Sequence, residues 1–198
     1  MRIAEFDREK VLRSAMTSFM DKGYGKTSMQ DLKKATGLHP GSIYCAFDNK
    51  RGLLLAALEQ YRLDRNIEFT GIFSGQRPIL DELKSYLDHI VLECQSCDAS
   101  QACLLTKALN EVAEQDEEVH AIITAHLANW QQAITHVFQK ALDQKAINST
   151  GAVNERSADA RAHYLLMGIY GLRTFAHTHP EGDILKQLAE QLYQDVCR

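Results

Sequence analysis

The sequence predicts an all-α protein, and three observations carry that expectation. Only 3 of the 198 residues are proline. Helix-favouring Ala, Leu, Gln, Glu and Lys abound. No Val/Ile/Thr-rich alternating run of strand length occurs. The length suits one sizeable core, or one core plus a small appended domain.

About nine helices account for the sequence. The first carries Val11, Leu12, Ala15, Met16 and Phe19 at helical spacing after Asp7, a good N-cap, and "KGYG" ends it. The second starts at Thr27 or Ser28, where Ser28 and Asp31 have capping-box spacing, and passes through Met29, Leu32 and Ala35 to Gly37, suited to closing a helix. Pro40, with its fixed φ, opens the third, which carries Ile43, Tyr44 and Phe47. The fourth begins after Asp48 and Asn49, runs through Leu53, Leu54, Ala57, Leu58 and Tyr61 past Arg65, and is expected to break at "TGIFSGQRP".

Beyond that break the helices lengthen. Pro78 opens the fifth, with Leu80, Leu83, Leu87, Ile90, Val91 and Cys94 on one face, and "SCDAS" interrupts it. A sixth spans Cys103 to Ala113 and a seventh Asp116 to Lys145. After the polar loop "INSTGAVNERS", two more cover Ala158 to Thr178 and Asp183 to Val196. The expected division is a head over residues 1–48 and a body over residues 49–198.

The charged opening "MRIAEFDREK" speaks against a secretory signal. The longest stretch free of Asp, Glu, Lys and Arg, Val119 to Gln139, holds three histidines, an asparagine and three glutamines, too polar for a bilayer. A cytoplasmic protein with no membrane partner is expected, its five cysteines read as reduced thiols. The net charge of −4 is uneven. Residues 1–51 carry +4 and the remainder −8, so only the first quarter suits a polyanion.

Two short helices around a Gly-containing turn, after a longer helix and inside the one net-basic region, describe a helix-turn-helix. The second short helix would set one turn of side chains on base edges, while flanking basic and hydroxyl residues would position phosphates. The stretch "VLRSAMTSFMDKGYGKTSMQDLKKATGLHPGSIYCAFDNKRGLLLAAL" resembles the DNA-binding domain of TetR-type repressors: Gly23-Tyr24, Thr27-Ser28, Ala35-x-Gly37, Gly41-Ser42-Ile43-Tyr44, Phe47 and Lys50 all fall in place. The resemblance covers about a quarter of the chain.

It implies an all-helical homodimer with N-terminal heads on a palindromic double-stranded operator, and a C-terminal ligand-binding and dimerisation body in which a small-molecule inducer moves the heads apart. It also implies that Thr27, Ser28, Tyr44 and Lys50 contact phosphates, and that His39, Pro40, Gly41, Ser42 and Cys45 face the major groove. Lys50 fits independently, adding a positive charge near a helix N-terminus. His39 stands where the family commonly has a capping Ser or Thr, so base preference cannot be copied. Phe19, Leu32, Ala35, Leu38, Ile43 and Phe47 are expected to form the head's small core.

In the body, "ACLLTKALNEVAEQDEEVHAIITAHLANWQQAITHVFQKAL" resembles a subgroup of TetR-type repressors with a "GCLL"-like helix start, some of which respond to reactive electrophiles through that cysteine. Ala102 replaces the glycine and Cys103 is the matching position. A first-turn thiol near Lys107 could sense electrophiles, but free cysteine also packs as a small hydrophobe, and both readings stand. Phe69, Tyr86, His89, His126 and Trp130 line either an effector pocket or ordinary core. Cys94-x-x-Cys97, with His89 and Cys103 nearby, falls short of a four-ligand zinc set, so neither metal nor cofactor is expected; a dithiol switch stays open.

The last two helices present apolar faces, with Gly168 and Gly171 allowing close approach, and in the family such a pair forms a four-helix bundle with its copy. A dimer also follows from need, because one short recognition helix makes too little specific contact. No G-x-S-x-G, P-loop, H-E-x-x-H or G-x-G-x-x-G occurs, so an enzyme is not expected. The leading expectation is a transcriptional repressor, with a helical protein-binding adaptor as the rival.

Overall fold

In the computed structural model, residues 6–95, 108, 110–112, 116–147, 156–178 and 183–198 are described. They form eight helices: α1 (Arg8–Lys22), α2 (Met29–Thr36), α3 (Pro40–Phe47), α4 (Lys50–Ile72), α5 (Ile79–Gln95), α6 (Glu117–Asp143), α7 (Ala158–Ala176) and α8 (Ile184–Cys197). No strand occurs among the described residues. The helix expected over Cys103 to Ala113 lies mostly outside them, which accounts for eight against about nine. None of the eight is long and apolar enough to cross a membrane.

The chain divides into two compact units. The first comprises residues 1–66 and 100–126, the second residues 67–99 and 127–198.

In the first unit, local chemistry sets the ends of the short helices. Asp7 caps α1 through Oδ1, which accepts from the Lys10 amide at 3.1 Å. Thr27 lies between α1 and α2. Its hydroxyl donates to the Gly23 carbonyl at 2.6 Å and also lies 3.1 Å from the Ser18 carbonyl, so it staples the turn from inside. Phe19, Leu32, Ile43 and Phe47 are buried as expected. Ala35 is exposed and Leu38 half-buried, so these two do not belong to that core.

The second unit buries Leu83, Leu87 and Ile90 of α5 together with Ile134 and Phe138 of α6, Leu165 and Ile169 of α7, and Leu185 and Val196 of α8. A Cβ at Gly168 would lie 2.4 Å from Leu192 Cδ2, so an alanine there would force the Leu192 side chain of α8 to shift. Gly171 faces open space. The buried Arg161 also joins these helices: Nε donates to the Arg156 carbonyl at 3.1 Å, Nη1 to that of Val196, and Nη2 to that of Arg198 at 2.8 Å.

One boundary differs from the sequence expectation. Helix α4 continues through Thr70 and Gly71 to Ile72. A single interior glycine costs a helix only about 1 kcal/mol, and Phe69, Ile72 and Phe73 pack against the core of the second unit. The turn forms beyond it, where Gly75 takes φ 76 and donates its amide to the buried Glu82 carboxylate at 2.8 Å.

Candidate nucleic-acid interface

Both ends of α2 are capped, and the second sets the turn into α3. Ser28 and Asp31 form a complete capping box: the Ser28 hydroxyl oxygen accepts from the Asp31 amide at 3.1 Å, and Asp31 Oδ2 accepts from the Ser28 amide at 2.9 Å. Lys22 reaches Asp31 Oδ1 at 2.5 Å, and this ammonium together with Ser28 holds the Asp31 carboxyl well below the usual carboxylate range. At the other end Gly37 takes the left-handed conformation, φ 72, which an L side chain adopts only with strain. Pro40 then occupies the first turn of α3.

The result is an eight-residue helix with its apolar side anchored and its opposite side bare. Ile43 and Phe47 are buried, whereas His39, Gly41, Tyr44 and Cys45 are exposed and Pro40 and Ser42 half-buried. Tyr44 is 48% exposed, a large aromatic on the surface beside the buried Ile43. His39 is the N-cap residue of α3 but makes no side-chain capping bond, so its imidazole is not tied to its own helix.

Of the other residues that the resemblance implies contact phosphates, Thr27 is buried with its hydroxyl turned inward, and Ser28 is exposed while its hydroxyl serves the capping box. Lys50 lies with Nζ 4.4 Å from the centre of the Tyr24 ring, and partial burial pulls its pKa below the ordinary lysine value. The cation–π contact holds this ammonium in place without neutralising it.

Two features of this region carry no local signal in the sequence. A Cβ at Gly52 would fall 2.0 Å from the Phe47 carbonyl oxygen, so only glycine fits where α3 passes into α4. Its amide donates to Asn49 Oδ1 at 2.9 Å. Glu111 reaches back to the α1–α2 turn, accepting from the Gly25 amide at 3.3 Å and occupying the space a Cβ at Gly23 would need. Both arise from partners distant in sequence or from backbone packing.

Arg51, at the start of α4, donates to Asp116 at 2.5 and 2.9 Å and to Glu118 at 2.6 Å. The bonds from Arg51, with that from the Val119 amide, hold the Asp116 carboxyl down to about 2. A pKa below the unfolded value of about 3.9 contributes stability above that pH, and the contribution is lost as pH falls through about 2. Asp116→Asn should therefore be less stable than the parent at pH 7, with the difference shrinking between about pH 4 and 2. Urea denaturation followed by circular dichroism across that range checks it, and a pH-independent difference would contradict it.

The candidate effector residues separate. Phe69, Tyr86 and Trp130 come together in the second unit: Phe69 and Tyr86 meet edge-on at 5.6 Å, and Trp130 Nε1 donates to the Tyr86 hydroxyl at 2.9 Å. His89 lies on the same helix as Tyr86, its Nε2 3.7 Å from Glu68 and 3.6 Å from Glu93. His126 belongs to the first unit, where it faces Glu59 at 3.6 Å and burial pushes its pKa down. Cys103, the candidate sensor, and Cys97 lie outside the described residues.

A capped pair of short helices, the second with one anchored and one bare side, defines a helix-turn-helix domain. Residues 11–57 match the family model described as bacterial regulatory proteins, tetR family, and this region is a TetR-family N-terminal domain. Over 182 residues, 92% of each chain, the protein is 24% identical to YezE of Bacillus subtilis (strain 168), an uncharacterized HTH-type transcriptional regulator. It is 33% identical over 102 residues to the HTH-type transcriptional repressor ComR of Escherichia coli (strain K12), covering 50% of this chain and 48% of that one. Among solved structures, it superposes with a TM-score of 0.82 at 21% identity, over 98% of both chains, on a cysteine mutant of the TetR family transcriptional regulator CifR complexed with 26-bp double-strand operator DNA. The whole chain thus has the fold of TetR-family regulators.

Proposed function

We propose that the protein is a transcriptional repressor that binds a palindromic operator as a homodimer and is released by a small-molecule or thiol-reactive inducer. The observation that carries the reading is the bare side of α3: His39, Gly41, Tyr44 and Cys45 are exposed on a short helix anchored by Ile43 and Phe47. The net charge of +4 over residues 1–51 supplies attraction to phosphate, and Pro40 and Ser42 border the same surface. Ser28, Tyr44 and Lys50 are assigned to the phosphates. Thr27 supports them indirectly, by fixing the turn on which Ser28 stands.

ComR is a repressor and the CifR structure holds operator DNA, which supports extending both properties to this chain. Dimerisation is assigned to α7 and α8, which leave Met167 60%, Phe175 39%, Ile184 39% and Leu188 44% exposed. The effector site is assigned to the cluster of Phe69, Tyr86 and Trp130, with Cys103 as the protein thiol that a reactive inducer modifies.

The test is binding of the full chain to fragments flanking its own gene, by fluorescence anisotropy. Specific affinity should be in the nanomolar range at physiological salt, about 1,000-fold or more above random DNA, and should fall steeply with salt. Equal affinity for every fragment would overturn the reading.

A further inference from the structure

We infer that Glu68, His89 and Glu93 form a binding site for a first-row divalent cation of the zinc class. His89 and Glu93 stand one turn apart on α5, and Glu68 comes from α4; all three belong to the second unit. His89 Nε2 lies 3.7 Å from Glu68 Oε2 and 3.6 Å from Glu93 Oε1, and one ligand atom from each residue falls within 4.8 Å of the others.

Three observations distinguish this set from an ordinary surface cluster. First, His89 Nε2 is shielded from water and has no hydrogen-bond partner. A buried ring nitrogen left that way costs free energy, and a cation would supply the missing partner. Second, Glu93 is oriented. Arg173 Nη2 donates to its Oε2 at 3.1 Å, while its Oε1 is the oxygen nearest His89. Outer partners of this kind fix a liganding carboxylate in place. Third, the two distances from His89 are close to those of a metal shell. Bonds of about 2.0–2.2 Å in tetrahedral geometry put ligand atoms about 3.4 Å apart. The two His89 distances need to close by only about 0.3 Å.

The donor set selects the class of ion. An imidazole with two carboxylates suits zinc and its first-row neighbours better than magnesium or calcium, which prefer all-oxygen shells. Three protein ligands leave a fourth position for water or an incoming donor. This set shares only His89 with the Cys94-x-x-Cys97 grouping and needs no thiol. The inference does not depend on DNA binding, because it is read on the protein alone.

The experiment titrates Zn2+ into the chelator-stripped full chain against a chromophoric competitor, and repeats the titration with Co2+ as a spectroscopic probe. We expect one tight equivalent per chain, with cobalt d–d absorption and no thiolate-to-cobalt charge-transfer band. His89→Ala and Glu93→Gln should each weaken zinc binding by about 100-fold or more. Glu68→Gln, on a half-buried side chain of another helix, should do the same, so a folding defect in one α5 variant does not decide the question. Circular dichroism monitors folding throughout. No tight zinc equivalent, a charge-transfer band, or affinity that survives the three substitutions would each overturn the assignment.

Discussion

A Gly41→Glu variant should fold and melt at least as well as the parent, yet bind the operator about 100-fold more weakly or worse. Gly41 is exposed in the first turn of α3, its φ is not in the left-handed region, and a Cβ there meets nothing within 4 Å. The folded chain therefore accepts a side chain at this position. Glutamate also favours helix over glycine by about 0.5–1 kcal/mol, and a carboxylate suits a helix N-terminus. In the proposed complex the same carboxylate would enter the negative potential of the major groove, where repulsion replaces close approach. Gly41→Ala is the control, with the same backbone effect, no charge and a loss of no more than about 10-fold. Thermal melts and anisotropy titrations separate the two effects. A glutamate variant that binds like the parent would place the DNA elsewhere than at the start of α3.

The largest expected loss of stability comes from Arg161→Met, about 3–5 kcal/mol. Methionine replaces much of the volume but none of the donors, leaving the carbonyls of Arg156, Val196 and Arg198 without the guanidinium that satisfies them. The Val196 acceptor is buried and the other two partly so, and stranding a buried one costs about 1–3 kcal/mol. The change also unties α8 from the start of α7, where Ala158, Ala162 and Leu165 are buried. Trp130 is the single tryptophan of the chain and belongs to the second unit, so its fluorescence in urea reports this unit directly. A loss below about 1 kcal/mol would mean that water reaches these carbonyls as readily as Arg161 does.

What could be read in the sequence was what depends on neighbours three or four residues apart. The Asp7 cap, the Ser28–Asp31 box, the Gly37 stop and the Pro40 start are all local, and all appear as spacing. The reach of α4 to Ile72 was not legible, because the packing of Phe69, Ile72 and Phe73 outweighs the local cost of Gly71. Thr27 shows the same limit at the candidate interface. The family resemblance implies a phosphate contact for its hydroxyl, but the carbonyls of Gly23 and Ser18 turn it inward. Arg161 in an otherwise apolar helical face, and Glu68 beside His89 and Glu93, owe their surroundings to residues far along the chain.

The joint at Gly52 separates two kinds of change in the head. There the Phe47 carbonyl fills the space a side chain would take, so the path from α3 into α4 is set by main chain against main chain. Substitutions at His39, Gly41, Tyr44 and Cys45 alter a surface that takes no part in that joint. On the proposed function, a lineage can therefore exchange these exposed positions one at a time, while the frame that presents them is inherited unchanged.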